Sequence, residues 1–160
     1  MRTSLAVANG CIRDSSDFNW IHQNNDTFAA NLSELARAKY TFTILRCPFS
    51  RILSVYLDKF LNRDRMAWKY IDLHNRTIDM EDITFEFFVK SLSKEYIRNG
   101  DIHWMPQTSF LVYEKYDDYF PFEDFPRLTE ELKSKIGLGL VDARPLTKHG
   151  SEGYRRLNKR

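Results

Sequence analysis

Arg46, Arg51 and Ser54 lie within FTILRCPFSRILSVYLDKF (42–60), the stretch richest in residues that could hold a ligand. The β-branched and aromatic run ends at Leu45, so Arg46 stands where a strand finishes. Ser54 lies one turn into the helix that follows. In α/β sheets, ligands bind at the carboxyl ends of the strands. A guanidinium there, with the N–H groups of a helix start and a hydroxyl beside it, makes a pocket for a phosphate. Arg51, in the first helical turn, opposes the helix dipole and calls for an anionic partner. A plainer reading pairs Arg46 and Arg51 with surface carboxylates, while Ser54 bonds back into its own helix. Spacing alone leaves both readings open.

The elements that must position these groups follow from pattern. Tyr40–Leu45 reads as a strand, and Pro48 suits the first turn of a helix over Phe49–Asn62, with Ile52, Leu53, Tyr56 and Phe60 on one face. Upstream, Thr3 or Ser4 caps a short helix that Asn9-Gly10 ends. Thr27 caps a helix over Phe28–Lys39, with Phe28, Leu32 and Leu35 on one face. Downstream come a short helix over Met66–Asn75 and another from Thr84 to Tyr96, with Phe85, Phe88, Val89 and Leu92 inward. A second strand is expected over Tyr119–Phe122, then an amphipathic helix over Leu128–Ile136 closed by Gly137. Helix, strand, short loop and helix in sequence is an α/β signature. No repeat or linker divides the 160 residues, which read as one domain with a basic tail over Arg144–Arg160.

Composition removes several classes. With 12 Phe, 8 Tyr and 3 Trp the chain has ample core material and is not a disordered one. Its 24 Lys and Arg against 22 Asp and Glu give a net charge of +2, which makes no case for a nucleic-acid partner. Two cysteines, Cys11 and Cys47, make neither a disulfide framework nor a four-ligand zinc site; they read as two free thiols in a reducing compartment, with a single bridge as the alternative. No apolar stretch approaches the ~20 residues that cross a bilayer. A P-loop kinase would need Gly-x-x-x-x-Gly-Lys-Ser/Thr, and no such run is present.

The spacing Arg46-x-Pro48-x-x-Arg51-x-x-Ser54-x-Tyr56-x-x-Lys59-Phe60 resembles the 3′-phosphate-binding motif of the membrane-associated carbohydrate sulfotransferases, the chondroitin, dermatan and HNK-1 enzymes and their bacterial relatives. Asp101-Ile-His103-Trp104-Met-Pro106-Gln107 is similar to that family's His-Trp-x-Pro-Gln segment, and Asp117–Phe125 to its next strand. The resemblance covers roughly Tyr40 to Leu138. It implies a P-loop NTPase-like α/β fold, a parallel sheet flanked by helices. The donor it implies is 3′-phosphoadenosine 5′-phosphosulfate (PAPS), without a metal, and the acceptor is a hydroxyl, commonly on a glycan. Arg46 and Ser54 match the positions that bind the donor's 3′-phosphate. His22 falls in the interval where some relatives carry the histidine that takes the acceptor's proton, and His103 is its competitor, otherwise on the substrate side; the plainer reading of each is a histidine that simply hydrogen-bonds in a loop. Trp20, Trp104, Tyr56 and Phe60 offer rings for stacking, against which core packing is the simpler fate. Lys148, Arg155 and Arg156 correspond to a late basic loop that closes over the nucleotide, or to a solvated tail.

The family's phosphosulfate loop has the form Pro-Lys-x-x-x-Thr-Ser after the first strand. Met1-Arg2-Thr3-Ser4 resembles its last residues, so Thr3 and Ser4 are expected to supply hydroxyls and N–H groups while the strand, proline and lysine are missing. The expected account of this is an N-terminally truncated sulfotransferase. The rival is an inactive relative that binds an adenine nucleotide or a protein partner through the same pocket. Without an anchoring helix the expected compartment is the cytoplasm, or the Golgi lumen for a eukaryotic fragment that lacks its anchor.

Overall fold

The computed structural model describes residues 2–8, 10–13, 20, 23–24, 31–61 and 65–142. In chain order these hold α1 (Arg2–Ala8), α2 (Leu32–Ala36), β1 (Phe42–Leu45), α3 (Pro48–Val55), a π-helical stretch (Tyr56–Leu61) and α4 (Arg65–Leu73). A 3₁₀ turn (Met80–Asp82), α5 (Phe85–Ser91), α6 (Glu95–Arg98) and a second 3₁₀ turn (Gln107–Phe110) follow. The described chain closes with β2 (Asp118–Pro121), a 3₁₀ turn (Phe122–Asp124) and α7 (Phe125–Ile136). Among the described residues they group into two compact units, 2–45 with 115–142, and Arg46–Glu114.

In the first unit β1 and β2 pair in parallel, Phe42 opposite Asp118 and Leu45 opposite Pro121. The start of the pair is pinned by side chains. Thr41 donates from its N–H and its hydroxyl to Asp117 Oδ2, at 2.7 and 2.8 Å. Tyr40 and Lys135 both donate to Asp118. Burial, with the Asp118 hydrogen bond behind it, pushes the Tyr40 hydroxyl up to about 12. α7 places Phe125, Leu128 and Leu132 on the face that meets Phe120 and Leu140, with Phe42 and Ile44 packed against them. Asp124 caps its start and Pro126 sits in its first turn. Gly137, at φ 69°, ends it in the left-handed conformation glycine adopts without a steric penalty.

The second unit fills the connection between the two paired strands. Its core is aromatic: Phe60, Tyr70, Phe88 and Trp104 meet with ring centroids 4.7–6.1 Å apart, joined by Ile71, Ile83 and Ile97. The Trp104 indole N–H donates to the Ile97 carbonyl at 2.7 Å, so its one polar atom is satisfied. Ser91 donates to the Phe88 carbonyl, which makes Tyr70 the donor in the buried Tyr70–Ser91 bond. Trp104 and Phe60 are therefore core residues, as the simpler reading of these rings had it, and Tyr56 packs half-buried against them.

The mixed helix-and-sheet class, the parallel pairing, α4 and α7 agree with the sequence. Several elements differ. Asn31 is extended and caps α2, exchanging side-chain and backbone bonds with Glu34 in a capping box, so no single helix runs over Phe28–Lys39. Leu32, expected inward, is 84% exposed. Thr3 and Ser4 fall inside the first turn of α1 rather than capping it. Beyond Val55 the helix widens into π turns, which carry Leu57 into burial beside Phe60 while Leu53 stays exposed. Thr84 does cap α5, but the helix breaks at Leu92 and resumes as α6, leaving Phe85 and Val89 exposed. Neither Cys11 nor Cys47 is in a disulfide. Among the described residues no helix is long and apolar enough to cross a membrane, and no group of His, Cys, Asp and Glu is placed to hold a metal ion.

Candidate functional site

β1 delivers the chain to Arg46, and Pro48 starts α3 two residues later, so the strand-to-helix turn is short and sterically fixed. Within it the Arg46 guanidinium donates to Ser54 Oγ at 2.7 Å. The two residues that spacing singled out are thus in contact, eight positions apart in sequence.

The Arg46 backbone is held from far along the chain. Gln107 Oε1 accepts the Arg46 N–H at 2.8 Å, and Gln107 Nε2 donates to the Arg46 carbonyl at 2.7 Å. This two-point clamp fixes the main chain from which the guanidinium reaches out. Arg51 supplies a second tie: it donates to the carbonyls of Met105 at 2.7 Å and Ile102 at 3.0 Å. The anionic partner expected for Arg51 is thus replaced by two backbone carbonyls, whose partial charges meet the guanidinium where a carboxylate was anticipated. Burial first, and the Arg46 charge second, pull the Arg51 guanidinium below its ordinary pKa. Two like charges that disfavour each other in this way favour an anion beside them.

The tied segment contains His103. Its Nδ1 faces Asp101 Oδ1 at 2.5 Å, and its backbone N–H donates to the same oxygen at 3.0 Å. The other carboxylate oxygen, Oδ2, accepts from Lys69 of α4 at 2.6 Å. Burial alone would raise the Asp101 pKa, but the bonds from Lys69 and His103 outweigh it and hold it at about 2. Asp101 is therefore a buried, permanently ionised carboxylate at neutral pH.

Arg46, Arg51, Ser54, His103 and Gln107 all belong to the second unit, and Thr3 and Ser4 to the first. His22 and the basic residues of the tail lie outside the described residues. A cleft of about 460 Å³ bounded by Trp68, Asp72, Arg76, Asp79 and Glu81 includes none of the predicted site residues. Sequence reasoning gave no role to Gln107, Asp101 or Lys69. The available signal was the Asp-x-His spacing and the place of Gln107 in the same segment; Lys69 has no local signal.

The model of the sulfotransferase family matches residues 7–148, a span that contains Arg46, Ser54, His103 and Gln107. No curated protein and no solved structure matches the chain.

Proposed function

This chain belongs to the sulfotransferase family, and we propose that it carries PAPS-dependent transfer of a sulfuryl group to an acceptor hydroxyl, on a glycan. The reading treats 1–160 as one P-loop-like sulfotransferase domain, in which Arg46 and Ser54 hold the donor's 3′-phosphate. Thr3 and Ser4 are assigned to the 5′-phosphosulfate, and His22 and His103 are the two histidines available to the acceptor side.

The observation that carries this reading is the braced guanidinium. Arg46 is fixed through its main chain by Gln107, touches Ser54, and shares its surroundings with the Arg51 charge. Such preorganised donors bind a phosphate with little reorganisation, which is how sulfuryl and phosphoryl transfer are served.

Calorimetric titration with 3′-phosphoadenosine 5′-phosphate, the product nucleotide, tests it. Micromolar binding is expected, weakened about 10- to 150-fold by Arg46→Ala, the span that loss of a hydrogen bond to a charged group implies. A folded chain that releases no heat would overturn the nucleotide reading. Binding without turnover of PAPS would favour the inactive relative.

A further inference from the structure

We propose that His103 is the general base of the transfer, with Asp101 and Lys69 as the residues that position it; this rests on the sulfuryl-transfer reading above. The geometry fixes the tautomer. An ionised carboxylate has lone pairs and no proton to give, so in the contact with Asp101 the donor is His103 Nδ1. A neutral imidazole carries one N–H, which leaves Nε2 with its lone pair. The His103 side chain is 37% exposed, whereas that of Asp101 is 5% exposed. The ring thus has one nitrogen spent on a buried anion and presents the rest of itself to its surroundings. Lys69 on Oδ2 holds the carboxylate ionised and in place, so the charge of Asp101 stabilises the imidazolium that forms.

The same segment is fastened to the proposed phosphate site. Arg51 bonds the carbonyls of Ile102 and Met105, on either side of His103, and Gln107 clamps Arg46. In the step itself the acceptor O–H proton passes to His103 Nε2 as the acceptor oxygen bonds to sulfur. The bond between sulfur and the 5′-phosphate oxygen breaks, and its electron pair leaves on 3′-phosphoadenosine 5′-phosphate.

The test uses the full chain and PAPS, with water and unsulfated chondroitin as acceptors, across a range of pH. Nucleotide binding is measured in parallel. His103→Gln is expected to bind 3′-phosphoadenosine 5′-phosphate within about twofold of wild type while kcat falls about 10²- to 10⁴-fold, the usual worth of a general base. The acid limb of the pH–rate profile disappears with it. Asp101→Asn lowers kcat and leaves KM for PAPS largely unchanged. Should Asp101→Asn fail to fold, ¹⁵N spectra of the wild-type imidazole decide the tautomer: an Nδ1-protonated ring is expected, and an Nε2-protonated one overturns the proposal. Wild-type turnover by His103→Gln, or loss of the acid limb in His22→Gln in its place, would also overturn it while nucleotide binding stands. If wild type neither binds the nucleotide nor turns over PAPS, the sulfotransfer reading falls and this inference falls with it.

Discussion

Gln107 acts on Arg46 without touching its charge. Its two bonds go to the Arg46 backbone, so Gln107→Ala leaves the guanidinium in place but frees the chain that aims it. At about 1 kcal/mol for each of the two bonds, nucleotide affinity should fall by up to about 30-fold. Titration of that variant against Arg46→Ala checks it, and unchanged affinity with a lowered Tm would make the clamp purely structural. Asp101 and His74 set the acid response. The Asp101 carboxyl drops from 3.8 to about 2 on folding, so the stability it contributes is full above pH 4 and is lost as pH falls towards 2. That shift is worth roughly 2 kcal/mol. His74 is buried against Tyr70 and Phe87 with Nε2 unpartnered. Burial, then the Lys94 charge, lowers its pKa from 6.5, and stability therefore also declines as pH falls below that value. Urea midpoints against pH should show both windows, and His74→Leu should erase the upper one alone. At this scale the Arg46–Ser54 pair was legible because strand, proline and helix fix their spacing locally. Gln107, 61 positions from Arg46, was not, since nothing in a local pattern records a distant backbone bond.

Elements were legible where the local signals agreed with one another. α7 shows helical periodicity, a proline in its first turn and a glycine beyond its end, and the chain obeys all three. Gly137→Ala should cost about 1 kcal/mol, because alanine at φ 69° meets the left-handed steric penalty. Thr84→Ala should cost a similar amount, about 1 kcal/mol, by leaving the Phe87 N–H uncapped. Thermal unfolding of both variants measures this, and a neutral Thr84→Ala would mean that water replaces the cap. The π-helical stretch and the break between α5 and α6 were illegible for a common reason. Both are set by where tertiary packing wants Leu57, Phe60, Phe88 and Ile97 buried, and propensity gives way to such packing.

For the whole molecule, composition correctly signalled aromatic cores, though not how they are shared out. The second unit is built on interlocking rings and the first on α7 against a two-stranded parallel sheet. Phe60→Ala should remove about 3–5 kcal/mol and Leu132→Ala about 2–5 kcal/mol, since both side chains are almost fully buried. Hydrogen exchange read separately over 65–104 and 118–140 should place the first loss in the ring cluster and the second around α7. Loss spread evenly over both regions from either variant would show that the units unfold as one cooperative body. The proposed phosphate-site residues Arg46 and Ser54, with His103 and Gln107, sit in the stretch of chain that connects the paired strands, where side chains can change while the strand register is kept.

The Gln107 amide also does for Arg46 what a neighbouring strand would do, taking its N–H and returning a donor to its carbonyl one residue beyond the end of β1. That single peptide hydrogen can exchange with solvent deuterium only when Gln107 lets go. Its exchange rate is therefore a clock for how often residues 101–107 come away from the turn, readable with no ligand, acceptor or turnover at all.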